Sequence, residues 1–190
     1  MSRVALITGA TRNLGFFLAK GLGERMESGD VVYLTGRDPA RVKESVRLAR
    51  GGHAEIRGEI LDVADRSNVE RLAAVIHEAH GGIDIVLSNH YGRVTPSDNP
   101  AEVVDAYAAI NNLGTTHILR NFGPLMRDHG RLFVVASRAG SLLALAPALH
   151  PRFDNLATLD DVDASVLRWR DNGARAISHA ASWSVRSLPA

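Results

Sequence analysis

Val4-Ala-Leu-Ile-Thr8-Gly9-Ala-Thr-Arg12-Asn13-Leu14-Gly15 joins a short apolar run to a segment of helical length through a glycine-bearing turn. A strand entering a helix this way aims backbone N–H groups and the positive end of the helix at one spot, where a pyrophosphate is well held. Paired glycines are common in turns, so the surroundings must carry the reading. Val4–Thr8, Val31–Thr35, His53–Ile60, Ile83–Ser88 and Arg131–Ala136 are short, rich in Val, Ile and Leu, and bounded by Gly, Asp or Ser, as buried strands are. Leu14–Glu27, Pro39–Arg50, Arg66–His80 and Pro100–Met126 read as helices, with Asp38 and Asn99 as N-caps before first-turn prolines. Strand–helix alternation with fully apolar strands predicts an α/β fold, a doubly wound parallel sheet that stops after about five strands. Beyond Gly140 the pattern turns irregular, with one helix near Leu159–Arg170 and no reading for the last twenty residues. One domain is expected over 1–190, with a nucleotide-binding core at 1–140 and an insertion and tail at 141–190.

The 190 residues are 45% hydrophobic, and 22 basic residues face 21 acidic ones for a net charge of +1. That balance argues against bulk binding to nucleic acid or to a membrane surface. The absence of cysteine excludes disulfides, thiolate metal sites and a cysteine nucleophile. With no membrane-length apolar run and no leader pattern, a soluble, cytoplasmic protein is expected. Twenty of the basic residues are Arg, and Lys20 and Lys43 are the only lysines. Codon bias in a GC-rich genome explains the skew, yet it leaves no amine after residue 43.

The turn at Thr8–Gly15 resembles the TGxxxGxG turn of the short-chain dehydrogenase/reductase family, whose members adopt a Rossmann-like fold. Gly9 and Gly15 stand at glycine positions of that turn, and Asn13 replaces the middle glycine. Asn is the residue after Gly that best tolerates positive φ, although its side chain would crowd the phosphates. Arg37 stands at the tip of the second strand and Arg12 in the first turn. In a dinucleotide fold an acidic residue at that tip accepts from a ribose 2′-hydroxyl, whereas Arg suits a 2′-phosphate. The pair therefore favours NADP(H), bound weakly or in vestigial form. Asp62 and Val63 resemble the family's adenine-contacting pair. Ser88-Asn89-His90-Tyr91-Gly92 stands where the family carries NNAG, with Asn89 at a cofactor-binding position and His90 and Tyr91 bulky where small residues run beneath the cofactor.

The resemblance continues at the chemical end and then fails. Asn111 matches the structural and proton-relay asparagine, and Ser137 matches the serine that hydrogen-bonds the substrate carbonyl. The family's YxxxK pair has no counterpart, because the tyrosines are Tyr33, Tyr91 and Tyr107 and none follows Ser137. His150 stands thirteen residues after Ser137, with Asp154 in the Lys place. A better alignment treats Pro147–Ala164 as the insertion of carbonyl-reductase-like members. It sets Trp183 in the Tyr place and Ser187 in the Lys place. An indole N–H donates but does not exchange its proton usefully.

Three functions fit. The resemblance favours a degenerate reductase-like subunit that joins an intact homologue, as a hetero-oligomer such as a heterotetramer, into an NADP(H)-dependent ketoreductase or dehydrogenase acting on a carbonyl or hydroxyl substrate. Such pairs occur in bacterial antibiotic and other secondary-metabolite pathways. The alternatives are a self-sufficient reductase using Ser137 and a replacement acid such as His150, and a non-redox binder of NADP or a small molecule. His77-Glu-Ala-His80 lacks HExxH spacing, so a solvated helix face is preferred there and no metal is expected. Ser137 lacks a Gly-x-Ser-x-Gly elbow, against a serine hydrolase.

Overall fold

A computed structural model of the chain describes residues 2–93, 95, 98–137, 140–154 and 156–176. The strands β1 (Val4–Ile7), β2 (Val31–Gly36), β3 (Glu55–Ile60), β4 (Ile83–Ser88) and β5 (Met126–Val134) form one parallel sheet in the order β3-β2-β1-β4-β5. The apolar runs thus become the central strands of the expected doubly wound sheet. Alternate residues of β1 serve opposite faces. Val4 and Leu6 pack with Val69, Leu72 and Ile76 of α3 (Arg66–His80) and with Ile118 and Phe122 of α5 (Gly114–Phe122). Ala5 and Ile7 pack with Ala19 of α1 (Asn13–Arg25) and with Val42 and Val46 of α2 (Pro39–Ala49). Leu6, Ile7, Leu72, Ile76 and Phe122 are fully buried, each contributing about 1.5–3 kcal/mol.

Two expectations are corrected. The helix foreseen over Pro100–Met126 is broken into α4 (Pro100–Tyr107), a π-turn (Ala108–Leu113) and α5. The widened turn holds Asn111 and Asn112, weak helix formers, and such bulges recur at functional sites. The fifth strand begins at Met126 rather than Arg131. Its register with β4 jumps from Ile83↔Met126 to Ile85↔Arg131, so 127–130 loop out, with His129 at φ 66°. Arg127 folds back there to bond Asp84, Ser2 and His80, knitting the N-terminal ends of the strands.

Beyond β5 come two short 3-10 turns (Leu142–Ala144 and Pro147–Arg152) and α6 (Leu159–Ala176), which extends past Arg170. α6 lies against α4, the π-turn and α5: the Thr116 hydroxyl donates to Asp163 at 2.7 Å, Arg120 pairs with Asp160 and Asp163, and Tyr107 meets Trp169 edge-on. Among the described residues no helix is long and apolar enough to cross a membrane.

Candidate functional site

In the order β3-β2-β1-β4-β5 the chain winds one way from β1 to β3 and the other way from β4, and a crevice opens at the carboxyl ends of β1 and β4, where such sheets bind ligands. One lip is the turn at Gly9–Gly15. Gly9 adopts φ 61°, and a Cβ there would lie 2.9 Å from His90 Cα. A Cβ on Gly15 would lie 2.4 Å from the Gly9 carbonyl oxygen and 2.5 Å from Asn89 Nδ2. Both positions therefore require glycine. Asn13 takes φ 48°, the left-handed geometry expected of it. The Asn89 side chain donates to the carbonyls of Thr8 and Gly9 at 3.3 and 3.4 Å and staples the turn to β4.

The helix that starts there is left open to an anion. α2 and α3 are capped by the Asp38 and Asp65 carboxylates, whereas α1 has Arg12 at its N-cap and no side-chain cap. A helix N-terminus in this state offers its N–H groups and positive end to phosphate. Arg12 and Arg37 are both exposed on the tips after β1 and β2, and among the described residues neither is in an ion pair. The lining fits a dinucleotide carrying an extra phosphate.

Asp62 and Val63, after β3, are held by the protein itself. The Asp62 carboxylate accepts from the Ala64 N–H at 3.0 Å, and its own N–H donates to Asn68 Oδ1 at 2.8 Å. Val63 is buried on Gly114 of α5, and His117 Nδ1 donates to its carbonyl at 2.8 Å. The pair is placed at the crevice margin by these contacts.

The loop after β4 resolves the crowding expected of His90. Its ring turns inward, away from the crevice, with Nδ1 2.9 Å from the Thr8 hydroxyl and Nε2 3.4 Å from the Thr115 hydroxyl. Burial pushes its pKa down to about 4, opposed by a hydrogen bond to the Ile110 backbone. Tyr91 turns outward and is exposed. Gly92 is gripped by Asn111, which accepts from its N–H at 2.8 Å and donates to its carbonyl at 3.0 Å. Asn111 thus spends its amide on the backbone, and its carbonyl accepts from the Thr115 hydroxyl at 2.9 Å.

Ser137 is exposed just beyond β5. Val135 N–H bonds the Ser88 carbonyl at 2.9 Å, which keeps this end of β5 beside the β4 loop. The Ser137 carbonyl accepts from Gly140 at 2.9 Å. His150 is committed within its own turn, Nε2 donating to the Leu145 carbonyl at 3.0 Å. Asp154 is exposed, and Trp183 and Ser187 lie outside the described residues. His80 bonds Tyr33 at 2.9 Å, and no cluster among the described residues fits a metal ion. Sequence reading missed the inward role of His90 and the part of Thr115; no periodicity or spacing marks either.

Residues 3–146 match the family model for short chain dehydrogenase. Carbonyl reductase (NADPH) 3 of Mus musculus is 32% identical over 171 residues, a match covering 85% of this chain and 60% of that protein. The chain thus spans about three-fifths of the length of that relative. Salutaridine reductase from Papaver somniferum superposes with a TM-score of 0.79 at 23% identity, covering 93% of this chain and 73% of that one. A variant of actinorhodin polyketide ketoreductase with NADPH superposes at 0.60 and 24% identity, covering 87% of this chain and 60% of that one.

Proposed function

The chain belongs to the short chain dehydrogenase family, and from that premise we propose that it binds NADP(H) and serves as the reductase-like subunit of a carbonyl-reducing complex completed by an intact relative. The observation that carries the cofactor is the pair of exposed guanidiniums, Arg12 and Arg37, flanking the uncapped start of α1. Arg meets phosphate with planar, charge-assisted hydrogen bonds. The relative named for NADPH supports the same choice.

When bound, NADPH supplies a hydride to a carbonyl carbon. The chain's own part is to hold the pyrophosphate at Gly9–Gly15, to anchor the 2′-phosphate on Arg12 and Arg37, and to offer the Ser137 hydroxyl to the carbonyl oxygen. Asn111 acts by fixing Gly92 rather than by touching substrate. On the alignment that puts Trp183 and Ser187 in the places of the family's Tyr and Lys, the proton comes from the partner. No Tyr or Lys follows Ser137 in the sequence, and Trp183 and Ser187 fall where the pair is aligned. The commitment of His150 to Leu145 weighs against it as a replacement acid. Among the described residues β5 is at the margin of the sheet, where its Phe133 and Val134, with Val135 just beyond it, are 44–50% exposed, which supports a partner there. The likeness to the monensin polyketide synthase putative ketoacyl reductase of Streptomyces virginiae, 32% identical over 145 residues, with the Arg-rich composition, supports a role in bacterial antibiotic or other secondary-metabolite biosynthesis.

The test is to purify the chain alone and together with a reductase encoded beside it, then to measure NADPH binding and carbonyl reduction separately. Binding by the lone chain with turnover only in the complex is the expected result. Turnover by the lone chain overturns the subunit reading, and no binding by either preparation overturns the cofactor reading.

A further inference from the structure

His90 is a large, polar residue whose ring packs inward behind the loop after β4, and its hydrogen bonds fix its state. The Thr8 hydroxyl oxygen already accepts from the N–H groups of Asn89 and His90, at 2.9 and 3.1 Å. Both its lone pairs are thereby used, so its O–H must donate, and Nδ1 of His90 is the acceptor at 2.9 Å. Nδ1 then carries no proton and Nε2 does. That N–H faces the Ile110 backbone carbonyl and, at 3.4 Å, the Thr115 hydroxyl. Thr115 in turn donates to the Asn111 carbonyl at 2.9 Å. The groups facing the ring from the turn after β1, the π-turn and α5 are therefore two hydroxyls and one carbonyl, none of them titratable in the ordinary range.

We infer that His90 is a positioning residue, held as the neutral Nε2–H tautomer, that links the glycine turn through Thr8 to the Asn111 turn through Thr115, so that the nucleotide side and the substrate side of the crevice keep one geometry. A protonated ring would place a second donor against Thr8, whose oxygen has no lone pair left, and would displace the Asn89 or His90 amide. Neutrality is thus built into the contact. Asn89, whose amide hangs from Thr8, also staples Gly9, so a shift of the ring reaches the phosphate lip directly.

The functional arm of this inference rests on the NADP(H) reading; the tautomer does not, and two measurements separate them. In the full chain with 15N-labelled histidine, His90 is expected to show an unprotonated Nδ1 and a protonated Nε2, unchanged from pH 8 to 5. Thr115→Val is expected to move the His90 ring resonances and the Gly9 amide, a transmission that local packing alone would not give. In NADPH titrations His90→Ala is expected to weaken binding roughly fivefold, the loss of about one net hydrogen bond, and Thr8→Val, which also leaves the Asn89 and His90 N–H groups without their acceptor, at least as much, with the double variant no worse than Thr8→Val alone. His90→Gln, whose amide offers an acceptor for Thr8 and a donor for Thr115, is expected to recover part of the loss. A ring that titrates near 6.5, a protonated Nδ1, or additive losses in the double variant would overturn the inference. Should the wild-type chain not bind NADPH, the cofactor reading fails and the ring resonances alone decide the role of His90.

Discussion

Asn111 and Gly92 form a two-point clamp, Oδ1 accepting from the glycine N–H at 2.8 Å and Nδ2 donating to its carbonyl at 3.0 Å. The clamp joins the π-turn to the loop after β4 and replaces two hydrogen bonds that water would otherwise make. Removing it leaves two half-buried backbone groups without partners, at a cost on the order of 1–3 kcal/mol. Asn111→Ala is expected to lower the unfolding free energy by that amount, read as a lower urea midpoint at unchanged slope. Asn111→Asp keeps the acceptor and loses the donor, and is expected to fall between. An unchanged midpoint in Asn111→Ala would show that the clamp contributes nothing to stability.

Gly15→Ala tests the cradle. The added methyl would sit 2.4 Å from a backbone oxygen, which no side-chain rotation relieves, so the turn itself must open. NADPH affinity is expected to drop at least about tenfold, since the turn's N–H groups lose their common aim. Calorimetric titration checks it, with circular dichroism to establish that the sheet persists. Wild-type affinity in the variant would mean that phosphate is held elsewhere.

Arg37→Ala and Arg12→Ala address cofactor choice. Each removes a charged donor from a solvent-facing tip and leaves no buried group unpaired. Charge-assisted hydrogen bonds contribute roughly 1.5–3 kcal/mol, so NADPH affinity is expected to fall at least about tenfold for Arg37→Ala, while NADH affinity is unchanged. The loss should shrink at high salt. Equal losses for both cofactors would place these arginines away from the 2′-phosphate.

The legibility of this chain follows from what local sequence encodes. Strands buried on both faces must be apolar throughout, so Val4–Ile7, Val31–Gly36 and Ile83–Ser88 could be read almost to the residue. Caps made by neighbouring side chains were readable too, as at Asp38. The break in the helix from Pro100 was not, because a contact with Gly92, nineteen positions earlier, accompanies it. The start of β5 was hidden by polar residues, Asp128 and His129, that loop out of the ladder. Arg12 and Arg37 announced themselves by their place after strands. His90 did not, since its partners Thr8 and Thr115 are brought together only by the sheet and the helix.

Acid stability carries the last prediction. The His90 ring has its pKa lowered from 6.5 to about 4 by burial, so between those values the unfolded chain binds a proton that the folded chain refuses. Stability therefore rises with pH across that window, is complete above about 6.5, and is lost as pH falls towards 4. The full difference is about 3 kcal/mol. Asp30 acts lower down. Burial alone would raise its carboxyl, but N–H groups of Arg3 and Glu27 and the Arg3 guanidinium, 2.9 Å away, hold it below its ordinary 3.8. Its stabilisation is present above that value and lost as pH falls further. Urea unfolding at half-unit steps from pH 8 to 3.5 is expected to show a decline beginning near 6.5, with a further fall below 4. His90→Gln should reduce the first, leaving the share of His80, whose pKa burial and the nearby Arg57 and Arg127 also lower, and leave the second unchanged. A wild-type profile flat from 6.5 to 4 would mean that the ring is not buried as its contacts with Thr8 and Thr115 require.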